Sequence, residues 1–122
     1  MLPYPEIAAS RVIDAARLDD LRALLGDALD DILRTWLDDA PAGLAAARRA
    51  GQAGEPDALI KAIHGVKGSA GNVGAIELSE VSGVLERRLK HADPALDLDA
   101  ELTRLDTCYT RAACHMRTLI RS

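Results

Sequence analysis

The chain has 122 residues, of which 48% are hydrophobic and 28% are charged, and this balance excludes a disordered protein and predicts one folded domain spanning residues 1–122. The net charge of −4 argues against nucleic acid as the main partner. Only 2% of the residues are aromatic and none is phenylalanine, so the core must be aliphatic, which favours helices over sheets.

The first half of the chain predicts a tail followed by two helices. We expect residues 1–12 to form an extended N-terminal tail. A short helix is expected over residues 15–25 and ends at Gly26, because glycine readily adopts the backbone conformation that terminates a helix. Asp27 is placed to cap a second helix, which Pro41 is expected to bend or interrupt.

The second half predicts three further helices. Pro56 suits the first turn of a third helix. Its predicted buried stripe follows helical spacing: Leu59, Ile63, Val66, Ala70 and Val73. The segment GNVGA separates it from a fourth helix with apolar positions at Leu78, Val81, Leu85 and Leu89. Asp93 and Pro94 supply a cap and a first-turn proline for the last helix, whose apolar rhythm runs over residues 98–119.

These patterns predict an all-α protein. No window alternates convincingly with period two, so strands are not expected. Four long amphipathic helices joined by short loops pack most simply as an up-down-up-down four-helix bundle, with a short additional N-terminal helix over one end. Such a bundle can close on itself, so we expect a monomer.

The sequence also predicts where in the cell the protein is found. The N-terminal residues contain no secretion signal, and no stretch approaches the roughly 20 apolar residues of a membrane span. Cys108 and Cys114 lie six positions apart, on roughly opposite sides of a helix, and are expected to be reduced, buried thiols. Together these features favour a cytoplasmic protein with no membrane contact.

Four of the nine glycines fall at every third position in IHGVKGSAGNVGA, residues 63–75, although each costs a helix roughly 1 kcal/mol relative to alanine. Gly68 and Gly71 share the outward face of His64, so they leave room for a partner's backbone beside the imidazole. Gly65 fits close helix packing better, and Gly74 fits a break between helices. The alternative is that all four serve only packing or turns.

His64 is predicted at the edge of the bundle, one step away from the buried stripe, with Lys67 and Lys61 on either side of it. A neutral imidazole offers a nucleophilic nitrogen at cytosolic pH. Flanking ammonium groups attract an anion and stabilise a phosphoryl group during its transfer. The alternative is a structural histidine, which the lysines and glycines around it disfavour.

The run from Ala62 to Glu86 resembles the signature of histidine-containing phosphotransfer (HPt) domains. That signature is a helical histidine followed by lysine at +3, glycine at +4, a small or hydroxyl residue at +5 and glycine at +10. The matching residues, in order, are His64, Lys67, Gly68, Ser69 and Gly74. With the order of the helices, the resemblance covers residues 12–120.

The resemblance implies a phosphorelay intermediate. His64 would accept a phosphoryl group on Nε2 from the aspartyl-phosphate of a response-regulator receiver domain and pass it to another receiver. Lys67 would contact the phosphoryl oxygens, Gly68 would permit close docking, and Ser69 would hydrogen-bond near the site. Glu86 stands where the family often has glutamine, and its carboxylate would accept a hydrogen bond from Nδ1–H and leave Nε2 free.

A receiver-docking surface is expected around His64, as an apolar patch ringed by charge. Ile60 and the small residues of the third helix are candidates for the patch, and Lys61, Arg87, Arg88 and Lys90 for the basic rim. For each arginine a simple role in solubility is an equally good interpretation. Gly71 is given no role beyond access and helix termination.

The resemblance implies no cofactor or metal in this chain, because the Mg²⁺ of such a transfer belongs to the partner receiver. A hybrid sensor histidine kinase is the expected source of one receiver. VKGSAG lacks the order of a nucleotide-binding loop, so the protein is expected to be a phosphocarrier and not an ATP-dependent kinase. The alternative function is a helical interaction module that binds a receiver or another protein without carrying phosphate.

Overall fold

The computed structural model describes residues 9–121, and all of its regular elements are helices. They are α1 (Ala9–Val12), α2 (Ala15–Leu25), α3 (Ala28–Gln52), α4 (Pro56–Asn72), α5 (Ile76–Lys90) and α6 (Leu98–Leu119). No strand occurs within the described range. The predicted all-α class is therefore confirmed.

Helices α3 to α6 form the four-helix bundle. Each packs against the next along the chain, and α6 closes the ring against α3. The short helix α2 packs on α3, as expected of the additional N-terminal helix. The core is aliphatic, and residues from each of the four long helices are fully buried in it: Leu33, Ile63, Leu78, Leu105 and Met116. The predicted stripe of α4 is buried along its whole length.

The N-terminal segment differs from the extended tail that the sequence suggested. Residues 9–12 form helix α1, which packs against α5 and α6, whereas residues 1–8 lie outside the described part of the chain. Val12 is buried in the core. Just beyond it, the amide of Asp14 donates a hydrogen bond of 2.8 Å to the carbonyl of Gly74. Burial of apolar side chains therefore draws this segment onto the bundle.

Helix α3 runs without interruption through Pro41, so the expected interruption does not occur. Proline has no amide hydrogen, and it therefore leaves the carbonyl of Leu37, four residues earlier, without its helical donor. The hydroxyl of Tyr109, on α6, donates a hydrogen bond of 2.7 Å to that carbonyl. A neighbouring helix thus satisfies the group that the proline leaves unpaired.

Of the two helix starts predicted from a capping aspartate, the one after Asp27 is in the predicted place and the one at Asp93 is not. Asp27 precedes α3, but its side chain makes no capping hydrogen bond. The last helix does not begin at Asp93, whose carboxylate instead accepts from the amide of Ala95 and stabilises the preceding turn. It begins after Asp97, whose side chain accepts from the amide of Ala100. Both Asp93 and Asp97 have a carboxylate that can cap a helix. The course of the loop decides that Asp97 is the residue that caps the last helix.

The two cysteines have different surroundings. Cys108 is buried, and desolvation raises the pKa of its thiol to about 12, so it is an inert core residue. Cys114 is exposed, contrary to prediction. Both are free thiols. None of the described helices is long and apolar enough to cross a membrane.

Candidate functional site

The imidazole of His64 stands at the surface of α4. Its neighbours in sequence, Ile63 and Val66, point into the core, and this fixes the histidine on the outward edge of the helix. The side chain is 69% exposed. The predicted solvent-facing position is therefore what the structure shows.

The partner of the ring is Glu86, from α5. Its carboxylate Oε2 lies 2.8 Å from Nδ1 of His64, although the Glu86 side chain is only 6% exposed. Two ammonium groups share the same carboxylate: Lys90 Nζ lies 3.1 Å from Oε2, and Lys67 Nζ lies 3.6 Å from Oε1. These four residues, His64, Lys67, Glu86 and Lys90, are called the His64 cluster below.

The charge of Glu86 determines which nitrogen of the ring carries the proton. Burial raises the pKa of this carboxyl group, but the hydrogen bonds from Lys90 and His64 outweigh burial and hold the pKa below its ordinary value. Glu86 is therefore ionised at neutral pH and can only accept. In the neutral ring the proton must then sit on Nδ1, and the lone pair on Nε2. No described residue bonds to Nε2, which is free to act as a nucleophile.

The glycines around His64 divide into two kinds. A Cβ atom added at Gly65 or Gly68 would meet no atom within 4 Å outside the local helix, so both leave open space at the surface. Gly65 is thus not the helix-packing glycine that was expected. At Gly71 an added Cβ would lie 3.3 Å from Ser79 Oγ, so this glycine allows close approach of α5. Gly74, with φ of 78°, makes the predicted break between α4 and α5.

The two serines near the cluster bind helix backbone. Ser69 Oγ donates to the carbonyl of Val66, 3.3 Å away in its own helix, so its hydrogen bond does not reach His64. Ser79, which the sequence did not single out, donates from α5 to the carbonyl of Lys67 at 3.1 Å. It therefore ties the two helices of the His64 cluster together. No local spacing signals such a bond, because its partners are twelve residues apart.

The family model for the Hpt domain matches residues 31–113, a range that includes the whole His64 cluster. The chain belongs to the Hpt domain family. Hpt domains are phosphocarrier modules that act in histidine phosphotransfer within two-component signalling, where they interact with response-regulator receiver domains, and they are not kinases. This Hpt domain has no match among functionally curated proteins.

Among solved structures, this Hpt domain is similar to histidine-containing phosphotransfer protein B (HptB) from Pseudomonas aeruginosa PAO1. The TM-score is 0.84 at 22% sequence identity, and the match covers 93% of this chain and 96% of the other. At this identity the likeness concerns the fold alone. The structural match covers more of the chain than the family model does.

The basic residues around His64 are not equivalent. Lys90 is bonded to Glu86, so it belongs to the His64 cluster and is not a free rim residue. Arg88 turns away and pairs with Asp93 and Glu101, which excludes it from the predicted rim. Lys61 and Arg87 are exposed, and neither forms an ion pair with any described residue. These two remain available to a partner.

A groove of about 670 Å³ lies between α3 and α4, next to the part of α4 that carries His64. Its lining is mostly apolar and includes Ile32, Trp36, Ala62 and Gly65, with Lys61 also among the lining residues. Ile32 is exposed there and adds aliphatic surface to the groove. Ile60 is half-buried and is not among the lining residues, so the apolar patch differs in detail from the prediction. Within the described residues, no group of three or more side chains could hold a metal ion.

Proposed function

We propose that this Hpt domain carries phosphate on His64, accepting it on Nε2 from the aspartyl-phosphate of one receiver domain and passing it to another. The observation that supports this most is the hydrogen bond between Nδ1 and the buried carboxylate of Glu86. It holds the exposed ring in one orientation and places the lone pair on the outer nitrogen. A histidine with only a structural role needs neither the exposure nor the orienting carboxylate.

The transfer needs little chemistry from this chain. The Nε2 lone pair forms a bond to phosphorus, the bond between phosphorus and the aspartyl oxygen breaks, and its electron pair leaves with the receiver's carboxylate. Lys67, one turn after His64, stabilises the negative charge of the phosphoryl oxygens. Gly68 leaves space for the receiver's backbone to approach. Transfer to the second receiver is the reverse of the same step.

The surface beside His64 suits a receiver domain. The groove between α3 and α4 offers an apolar surface, and Lys61 and Arg87 supply free positive charge for an acidic receiver pocket. The Mg²⁺ that such a transfer requires would be held by the receiver. We further propose that the domain acts as a monomer in the cytoplasm, with a hybrid sensor histidine kinase as the source of one receiver.

The test is to incubate the protein with phosphorylated receiver domains and to look for an acid-labile, base-stable label. We expect the label on the parent protein and on His91→Gln, which removes another exposed histidine, but not on His64→Gln. An equal label on His64→Gln would contradict the proposal. Binding of several receivers with no label on the parent protein would also contradict it, and would favour an interaction module that carries no phosphate.

A further inference from the structure

The hydrogen bond between His64 and Glu86 has a consequence for the phosphorylated state. Attack by Nε2 leaves the ring with a phosphoryl group on one nitrogen and a proton on the other, so the imidazole ring becomes a cation. The ring becomes neutral only if Nδ1 gives up its proton. Glu86 Oε2, 2.8 Å from Nδ1, is the nearest acceptor.

A carboxylate in this position opposes that loss. If the proton left, the bare lone pair of Nδ1 would face an ionised oxygen that has no hydrogen to donate. A glutamine at the same place could turn its amide and donate to Nδ1, which would stabilise the neutral phosphorylated ring. The chain has glutamate, and the carboxylate is almost completely buried, so water does not replace it easily.

Two ammonium groups contact Glu86 and favour its ionised form. From α5, Lys90 Nζ contacts the oxygen that bonds Nδ1, and from α4, Lys67 Nζ lies nearest the second oxygen. Lys61, on α4, and Arg87, on α5, are exposed cations with no ion-pair partner in the described chain, and neither bonds to His64 or Glu86. Helix α3, which also packs on α4, contributes no hydrogen bond or ion pair to His64 or Glu86 among the described residues.

We infer that Glu86 keeps Nδ1 of phosphorylated His64 protonated, so that the domain carries its phosphoryl group as a phospho-imidazolium. This deepens the proposed function and rests on it. When the bond between Nε2 and phosphorus breaks, a protonated ring departs as neutral imidazole, whereas a deprotonated ring would depart as an anion. Glu86, acting through His64, therefore keeps the phosphoryl group easily transferable and shortens its lifetime. Glu86 is a positioning residue and does not touch the phosphoryl group itself.

The experiment loads the full chain with phosphoramidate, a chemical donor that needs no receiver. The ¹⁵N signal of Nδ1 and the rate of phosphohistidine hydrolysis are then followed against pH, and the resonance is assigned by its loss in His64→Gln. Glu86→Gln replaces a charge-assisted hydrogen bond by a neutral one. We expect its Nδ1 proton to dissociate with an equilibrium constant about tenfold larger, and hydrolysis at alkaline pH to be about tenfold slower.

Two further variants separate this role from a structural one. Glu80→Gln removes an exposed carboxylate from the same helix, and should leave the titration unchanged. Lys90→Met removes a cation that competes for Oε2, and should shift the Nδ1 proton equilibrium in the direction opposite to Glu86→Gln. Opposite shifts cannot arise from general damage to the fold, and the Lys90 variant tests the inference even if Glu86→Gln does not fold.

The inference is overturned if Nδ1 loses its proton over the same pH range in the parent protein, Glu86→Gln and Lys90→Met. Failure of phosphoramidate to load His64 at Nε2 would overturn it as well. Failure of this inference and failure of the proposed function can be told apart. Label from receivers with an unchanged titration would overturn the role of Glu86 alone. The expected titration with no label from any receiver would overturn the phosphorelay role alone.

Discussion

His64 and Glu86 meet across the interface between α4 and α5, with Nδ1 of an exposed ring 2.8 Å from Oε2 of a buried carboxylate. His64 must be exposed to react with a partner. Glu86 must be shielded from water so that its carboxylate interacts strongly with the ring. Because α4 and α5 are also joined by the bond from Ser79 to the Lys67 carbonyl, the geometry of the pair is fixed by the bundle.

Lys67→Ala should slow phosphoryl transfer from a receiver on the order of a hundredfold, because the variant lacks an ammonium group that stabilises the transferring phosphoryl oxygens. The fold should be retained, since Glu86 keeps its bonds to His64 and Lys90. Rapid-quench measurement of label transfer, with circular dichroism as the control for folding, tests this. Lys61→Ala is the matched variant: it should weaken receiver binding more than the rate in the bound complex. Equal rates for Lys67→Ala and the parent protein at saturating receiver would be inconsistent with the role given to Lys67.

Gly68 and Gly71 form a matched pair, because both are glycines of α4 but only one faces another helix. Gly68→Leu points into open space, so the bundle should be at least as stable as the parent while the Kd for a receiver rises. Gly71→Leu presses against Ser79, so it should lower the Tm. Thermal unfolding and titration with a receiver measure the two effects. A loss of stability in Gly68→Leu as large as that in Gly71→Leu would show that both glycines serve packing.

Tyr109→Phe should lower the free energy of unfolding by about 1 kcal/mol, because the carbonyl of Leu37 then has no donor. In a Pro41→Ala background the new alanine amide can donate to that carbonyl, so removal of the hydroxyl should cost much less. Urea unfolding of the four proteins of this double-mutant cycle provides the measurement. The same cost in both backgrounds would mean that the tyrosine does not compensate for the proline.

Acidification should destabilise the bundle through Asp30, a buried residue of α3. A hydrogen bond of 2.7 Å from Arg22 holds the pKa of its carboxyl group below the ordinary value, although burial opposes this shift. A carboxyl group with a lowered pKa in the folded state contributes stability above its unfolded pKa, near 4, and loses it as the pH falls through the folded value. Urea unfolding between pH 7 and pH 2 should show this loss, and Asp30→Asn should reduce the slope. An unchanged slope in Asp30→Asn would assign the acid sensitivity to other groups.

The helices and the reactive histidine could be predicted because their signals are local. Helical spacing alone identified the buried stripe that includes Ile63, and it therefore placed His64 at the edge of the bundle. The pairing of His64 with Glu86, 22 residues away, came only from the resemblance to a known family. Whether such a pair forms depends on the register of two helices, which spacing within one helix does not determine.

The interactions that the sequence did not predict are those between helices or within loops. Lys90 is one turn from Glu86, but its role depends on how deeply that carboxylate is buried. The compensation of Pro41 by Tyr109 joins residues on different helices, so the proline alone suggested an interruption. Before the last helix, Asp93 and Asp97 both have suitable capping chemistry, and the course of the loop selects Asp97.

The most direct test is to identify the phosphorylated atom by ³¹P–¹⁵N NMR after incubation with a phosphorylated receiver domain. The arrangement of the His64 cluster predicts a single bond between phosphorus and nitrogen, at Nε2 of His64, which disappears when an unphosphorylated second receiver is added. Phosphate at Nδ1, or on His91 or His115 in place of His64, would contradict the account.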